Sequence, residues 1–535
     1  MPLRISDVRA RWNEDRGQVT LRALEMAGLR KGDVASIEIV RQSVDRRRGR
    51  RPELVFTFDL HLVESRRGPL ASRVRHRKVR WVEDEPVDPV RPGDEPLTER
   101  PVIMGAGPAG LFAALILARA GYRPVILERG SRMNRRVGQV ERFHRDHVLL
   151  PESNYLFGEG GAGTFSDGKL TCRAKDPRVR RVLDEFRLKS GLDLVRYHYR
   201  PHLGSDRVRA VVGRLRREIE SLGGTFHYDT RVDGLILRGG RLAGVRTDEG
   251  EVACRVLVAA FGHSARDVYR FLEAAGVPME RKPFQMGFRI EHPQEMVDNW
   301  IWGDMGPRAE LGPADYRLVA KSEGRSVFSF CMCPGGEIIP AVHDDAHFNT
   351  NGMSWSRKDS GFANSGFVTT VEPCDLPSSD LFAGLELQAR YEAVARDVLG
   401  ASSMALPAQR LRDFMEGHTS RRLPPSSARC ELVSADVTAL APSFITQALC
   451  DVLPRFASRF PGFLGPEALI TGPEARSSSP LRILRDATSM MSPGVDGLMP
   501  VGEGAGWAGG IVSAAVDGWR AAESLIRRFS PPRME

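Results

Sequence analysis

Cysteine is scarce: seven among 535 residues, an odd number, scattered at positions 172, 254, 331, 333, 374, 430 and 450. No CxxC or Cys/His grouping has zinc spacing, so neither a disulfide framework nor a structural zinc site is expected. Long apolar runs are missing as well. The best, Leu111 to Ala118, is closed by Arg119 and is far too short to span a bilayer. The opening Met-Pro-Leu-Arg-Ile-Ser-Asp-Val-Arg lacks the apolar stretch of a signal peptide. Together these absences predict a soluble, cytoplasmic protein with no membrane span. Lysine supplies only eight of the 77 basic residues, a bias that GC-rich coding explains better than function. No repeat of solenoid period is visible.

What is present is the composition of a globular protein, 41% apolar and 27% charged, long enough for two or three domains. The net charge of +9 is unevenly placed: residues 1–80 hold 20 basic against 10 acidic side chains, so the rest is close to neutral. Any basic surface therefore belongs to the N-terminal region. Residues 1–84 read as a small α/β domain. A helical pattern over Val19–Ala27 stops at Gly28, and strand patterns cover Ala35–Val40 and Leu54–Val63 with the run Arg46–Arg51 between them. Five prolines from Glu83 through Pro101 mark 85–100 as a stiff acidic linker. From Pro101 the texture becomes strand–glycine–helix–strand: strands at Val102–Met104, Pro124–Leu127 and Val256–Ala260, a helix at Leu111–Ala120, and a hairpin over 232–247. The stretch 283–470 is less regular, and a final strand, glycine cluster and helix occupy about 494–528.

Gly105-Ala106-Gly107-Pro108-Ala109-Gly110 is a GxGxxG between a strand and a helix, with Glu128 at the end of the next strand. Gly105 permits the tight turn, Gly107 admits a pyrophosphate to the backbone, and Gly110 lets helix and strand pack. The phosphates would sit on the helix N-terminus, and Glu128 can accept from a ribose hydroxyl pair. The acid argues against a 2′-phosphate at this site. Two further segments favour FAD over NAD: Gly158–Lys169 (GEGGAGTFSDGK) and Gly497–Ala515, where a strand ends in a glycine cluster that opens a helix.

With these segments in place the chain resembles the glutathione-reductase-type FAD oxidoreductases. It is more closely similar to a poorly characterised group of bacterial FAD-dependent dehydrogenases with an extra N-terminal α/β domain. GEGGAGTFSDGKL, FGHSARD, CMCPGG, NGMSWSRKDSGFANSG and GEGAGWAGGI carry that resemblance. It implies a Rossmann-like FAD-binding α/β domain, with a parallel sheet and a β-meander, built from 101–282 and 471–535. An α+β substrate domain, 283–470, would be inserted between them. It further implies pyrophosphate contacts from Gly105, Gly107, Pro108, Ala109 and Gly110, and adenosine contacts from Glu128, with Arg129 and Arg136 nearby. Gly161, Gly163, Thr164 and Ser166 would run along the cofactor, and Gly262 would close the domain on its other side. Gly502 and Glu503 would stand where Gly-Asp is commoner, and Gly509, Gly510 and Ile511 would lie near the flavin N1–C2=O edge.

The resemblance fixes cofactor and fold better than reaction; the reaction expected is hydride transfer through flavin N5, with the substrate a small molecule of unassigned identity. The same scaffold is compatible with a flavin monooxygenase or an alkene reductase. From another class, it is compatible with a flavin-bound scaffold or RNA-associated protein acting through residues 1–80. The middle third shows no second strand–glycine–helix signature, so NAD(P)H would dock only transiently as an electron donor, and the missing CxxxxC argues against a disulfide reductase. Ser264 and Asp267 form an S-x-x-D capping box for a helix over Val268–Ala275, and His263 is left open. A Cys331–Cys333 disulfide would close a tight, strained ring, so ordinary strand positions suit these residues better than redox chemistry. The Arg46–Arg51 run lacks any nucleic-acid motif. A solvated loop or a docking surface for an acidic electron-carrier or partner protein is expected instead, with nucleic acid disfavoured. No residue is assigned as acid or base.

Overall fold

The computed structural model describes residues 1–46, 52–64, 77–83, 90–303, 311–400 and 404–532. The chain divides into two compact units, one of Met1–Pro89 with Leu183–Pro201 and Pro307–Gly312, the other holding the remainder.

The first unit carries strand β1 (Leu3–Arg11), helix α1 (Arg16–Ala27) and strands β2 (Val34–Asp45), β3 (Glu53–Leu62) and β4 (Val79–Trp81). They pair antiparallel in the order β2-β3-β1-β4. Asp15 caps α1 by accepting from the Gly17 and Gln18 N–H groups at 2.8 and 3.3 Å, and Gly28 ends it at φ 68°. Leu54, Phe56, Phe58 and Leu60 of β3 bury against Val19, Ala23 and Leu24 of α1. Each such side chain contributes roughly 1.5–3 kcal/mol. Strand β1 is absent from the sequence expectation for a physical reason. Its buried residues change phase from Leu3 and Ile5 to Val8 and Ala10 across a bulge where Asp7 takes φ 56°, which erases the alternation. Of the Arg46–Arg51 run, all but Arg46 lies outside the described residues.

In the second unit the strands that position the site are, in chain order, β5 (Val102–Met104), β6 (Val125–Leu127), β7 (Thr225–His227), β8 (Leu257–Ala259), β9 (Phe284–Pro293), β10 (Arg325–Pro334), β11 (Phe362–Val371), β12 (Leu469–Glu474) and β13 (Leu498–Pro500). Three helices matter equally: α2 (Pro108–Arg119), α3 (Met133–Asp146) and α4 (Ile511–Arg528). The first sheet runs β13-β8-β5-β6-β7, every pair parallel. Its strands are three residues long, and β5, β8 and β13 are fully apolar and buried, as expected where helices cover both faces, whereas the edge strand β7 is the half-exposed Thr-Phe-His. Strand β13 is thus paired beside β8, more than two hundred residues earlier in the chain. An antiparallel meander follows β7, with strands Val232–Arg238, Arg241–Thr247 and Gly250–Ala253.

The irregular-looking middle third contains a seven-stranded sheet in which β10, β11, β9 and β12 are successive neighbours, all antiparallel. Strands β9 and β11 are buried on both faces, so they lack the alternation by which a half-exposed strand is recognised. The chain returns to the parallel sheet only after Glu474, the last residue of β12.

One local expectation is corrected. The helix after β8 spans Arg266–Ala274, its N-cap is Ala265, and no side chain caps it. Asp267 does not close a box with Ser264; its carboxylate accepts from the Arg129 guanidinium at 3.0 and 3.1 Å. A charged fork outcompetes a local hydroxyl cap.

Candidate active site

Three glycine segments, far apart in the chain, meet at the C-terminal ends of β5 and β13. Gly105 leaves β5 at φ 103°, and a Cβ there would stand 2.5 Å from the Ala260 carbonyl. Gly110 is closed in equally, 1.9 Å from the Gly105 carbonyl by the same measure. Gly107, the N-cap of α2, is different: a Cβ on it would meet only the Gly161 Cα, at 4.0 Å. A Cβ on Gly163 would lie 3.2 Å from Ile511 Cγ1, and one on Gly502 would lie 3.0 Å from Ala109 Cβ. Around Gly262 and Gly509 there is open space, and Gly510 meets only Ser513 Oγ at 3.9 Å. Neither α2 nor α4 has a side-chain cap at its start. Two uncapped helix N-termini beside a backbone cradle free of side chains suit an extended molecule bearing phosphates.

The polar residues of these segments hold the cradle together. Glu128, buried, accepts from the Ala106, Gly130 and Gly158 N–H groups at 2.8, 3.0 and 3.0 Å, so it ties the first glycine turn to the second loop. A carboxylate has about four acceptor sites, which leaves room for a ribose hydroxyl. Arg136 of α3 is wholly buried. It donates to the carbonyls of Asn154, Tyr155, Gly158, Glu159 and Gly161 and to Thr164 Oγ1, all at 2.8–3.2 Å. Burial pulls its guanidinium down to about 9. Arg129 pairs with Glu152 and Asp267 over the Phe157 ring. Thr164 and Ser166 each donate their hydroxyl to a loop carbonyl, Gly161 at 2.8 Å and Gly163 at 2.7 Å. Arg136, Thr164 and Ser166 therefore brace the loop from within, and Arg129 ties Glu152 to Asp267.

Beside the cradle lies a cluster of ionisable groups. Glu503 is 28% exposed, with His263 Nδ1 3.6 Å from its carboxylate. Burial pushes Glu503 up to about 7 against the pull of Lys282, and drives His263 down to about 4. His263 is held by the Arg476 carbonyl at 2.8 Å. Asp167 is buried against His202 and 3.5 Å from Lys169. Despite its burial, those two charges hold its carboxyl well below the usual range. Lys169 donates to the Met332 carbonyl. Farther in, Arg289 grips Glu474 with two bonds of 2.9 and 2.8 Å and Asn364 with one of 2.8 Å. Sequence reasoning missed His202, Lys282, Arg289 and Glu474. The available signal was an arginine at the centre of the apolar strand FQMGFRIEHP, a position where an unpaired charge is untenable.

Residues 100–144 match the family described as "FAD binding domain", and residues 283–477 match "FAD-dependent protein, C-terminal domain-like". A Clostridium beijerinckii protein without assigned function is 37% identical over 540 residues, covering all of both chains. The chain belongs to the FAD-dependent oxidoreductase family. A digeranylgeranylglycerophospholipid reductase of Haloferax volcanii is 29% identical over 34% of this chain and 41% of its own. Among solved structures, a glycine oxidase from Bacillus cereus is similar at 12% identity, covering 80% of this chain and 98% of that one with a TM-score of 0.35. A geranylgeranyl bacteriochlorophyll reductase-like protein of Thermoplasma acidophilum shares 15% identity, covering 80% of this chain and 77% of that one with a TM-score of 0.33. FAD is the cofactor of this oxidoreductase, and no helix among the described residues is long and apolar enough to cross a membrane.

Proposed function

We propose that this FAD-dependent oxidoreductase is a dehydrogenase that removes a hydride from a carbon bearing an O–H or N–H group, with Glu503 accepting the proton. Bound FAD supplies the two-electron acceptor. Gly105, Gly107, Gly110 and the start of α2 hold the pyrophosphate, and the remaining acceptor site of Glu128 takes the adenosine ribose. Gly502, Gly509, Gly510 and Ile511 receive the flavin end, where the positive end of the α4 dipole favours developing negative charge.

The observation that carries the reading is Glu503. Its side chain is partly exposed, its carboxylate accepts no hydrogen bond among the described residues, and burial raises it to about 7. It also stands one residue from Gly502 in the segment that leads into α4. A proton acceptor poised near working pH is what loss of a hydride from an alcohol or amine carbon requires. Lys282 keeps that carboxylate partly ionised.

Anaerobic mixing of the purified holoprotein with panels of alcohols, hydroxy acids and amines, followed at the flavin absorbance, tests this. Bleaching by a member of the panel supports the dehydrogenase. Bleaching by NADH or NADPH alone makes the flavin a receiver of nicotinamide electrons and overturns it. The name of the Haloferax relative supports a second reading, saturation of an apolar alkene. Reoxidation of the reduced protein by an isoprenoid alkene would select that one.

A further inference from the structure

Strand β10 loses its register with β11 between Phe330 and Cys333, and Cys331 takes φ 45° in the left-handed region. Cys331 and Met332 therefore bulge from the ladder instead of continuing it. Cys333 is fully buried and Cys331 half-buried. Cys333 donates its thiol hydrogen to the Cys331 carbonyl, with Sγ 3.2 Å from the oxygen. Lys169, at the end of the Gly158–Lys169 loop, donates to the carbonyl of Met332, the residue between them. On the inner side, a Cβ placed on Gly352 would stand 2.9 Å from Cys333 Sγ, 2.4 Å from the Arg289 guanidinium and 2.5 Å from Asn364 Oδ1. Asn364 Nδ2 is buried there with no hydrogen-bond partner among the described residues.

These surroundings are those of an activated thiol, not of an inert core cysteine. The adjoining Cys333 side chain, and then the charges of Lys169 and Arg289, hold the Cys331 thiol below its ordinary value, while Cys333 itself is pushed up. Cys254 and Cys430, by contrast, have no such cations and are pushed up to about 12 by burial and, secondly, by the carboxylates of Glu99 and Glu431. The Lys169 bond to the Met332 carbonyl ties the dithiol to the Gly158–Lys169 loop.

We propose that Cys331 and Cys333 are a redox-active dithiol that closes to a disulfide by passing two electrons to the bound FAD. In the closing step the Cys331–Cys333 S–S bond forms and the Cys333 S–H bond breaks. The electron pair reduces the flavin, which takes up the Cys333 proton and one more from solvent. The reverse step reopens the pair. This second two-electron store rests on FAD as cofactor and is independent of which substrate supplies the hydride.

The test is an anaerobic dithionite titration of the holoprotein, followed at the flavin absorbance. Alkylation and peptide mapping of the oxidised and fully reduced forms accompany it. The expected result is uptake of four electrons per flavin, with a linked Cys331–Cys333 peptide in the oxidised form and both cysteines alkylated in the reduced one. C331S and C333S should each take up two electrons. Uptake of two electrons by the natural protein, or cysteines 331 and 333 open to alkylation in both forms, overturns the proposal. Should either variant lose its flavin, the mapping of the natural protein still decides. No metabolite enters this titration, so its failure is separate from failure to find a hydride donor.

Discussion

Gly518 of α4 lies against the backbone of Ala109 in α2 so closely that a Cβ on the glycine would stand 1.9 Å from the Ala109 carbonyl oxygen. The last helix of the chain is thereby seated on the helix that follows the first glycine motif, and no side chain larger than hydrogen fits between them. Gly518→Ala should lower the unfolding free energy by about 1–3 kcal/mol, because the carbonyl belongs to a helix that cannot yield locally. Urea denaturation measures this. An unchanged midpoint would mean that the two helices are not in this contact.

Gly107 and Gly110 should separate binding from folding. Alanine at 110 collides with the Gly105 carbonyl, whereas alanine at 107 meets nothing nearer than the Gly161 Cα at 4.0 Å. Gly107→Ala should keep the thermal midpoint of the apoprotein and weaken FAD binding at least tenfold, about 1.4 kcal/mol. Gly110→Ala should unfold at lower temperature even without cofactor. Equal flavin affinity in Gly107→Ala and the natural protein would remove Gly107 from the cradle.

Arg136 should act through the loop it braces. Arg136→Met leaves loop carbonyls without their donor, a loss of roughly 3 kcal/mol or more. The Gly158–Ser166 loop should then become sensitive to limited proteolysis while the first unit, which does not contain it, keeps its protection. A cleavage pattern like that of the natural protein would show that the braces are dispensable.

Much of this architecture is legible in the sequence, and the illegible parts have definite causes. The turn at Gly105, the helix that starts at Pro108 and the short strands beside them follow from glycine spacing and unbroken apolar runs. Convergence of the Gly158–Lys169 and Gly497–Ala515 segments on that turn follows from the resemblance. The large antiparallel sheet is hidden because β9 and β11 are covered on both faces and carry buried polar groups such as Arg289 and Asn364. Cys331 and Cys333 read as neighbours on one face of an ordinary strand, since a bulge with positive φ at a non-glycine residue leaves no compositional mark. Thr164, Ser166 and Arg136 are singled out by motif. Their hydrogen bonds turn inward to the loop, a direction that residue type alone does not encode.

Glu503 should set the pH dependence. Burial raises its carboxyl to about 7. A raised acid favours the protonated folded form, so its stabilising contribution is complete below the unfolded value of about 4.3 and disappears as pH rises through 7. Substrate-dependent flavin reduction should run the other way, increasing as the carboxylate forms. Glu503→Gln should reduce the rate by roughly 10²–10⁴-fold and flatten the profile between pH 6 and 8. A variant that is slow yet keeps the inflection near 7 would assign the titration to another group.

The central claim is that the first and last glycine clusters enclose one FAD. Acid release of the flavin from purified protein, with chromatographic identification and quantification against protein concentration, tests it most directly. The account predicts one FAD per chain, non-covalently held. Colourless protein that takes up no added FAD, or a chain that carries FMN in its place, would contradict it.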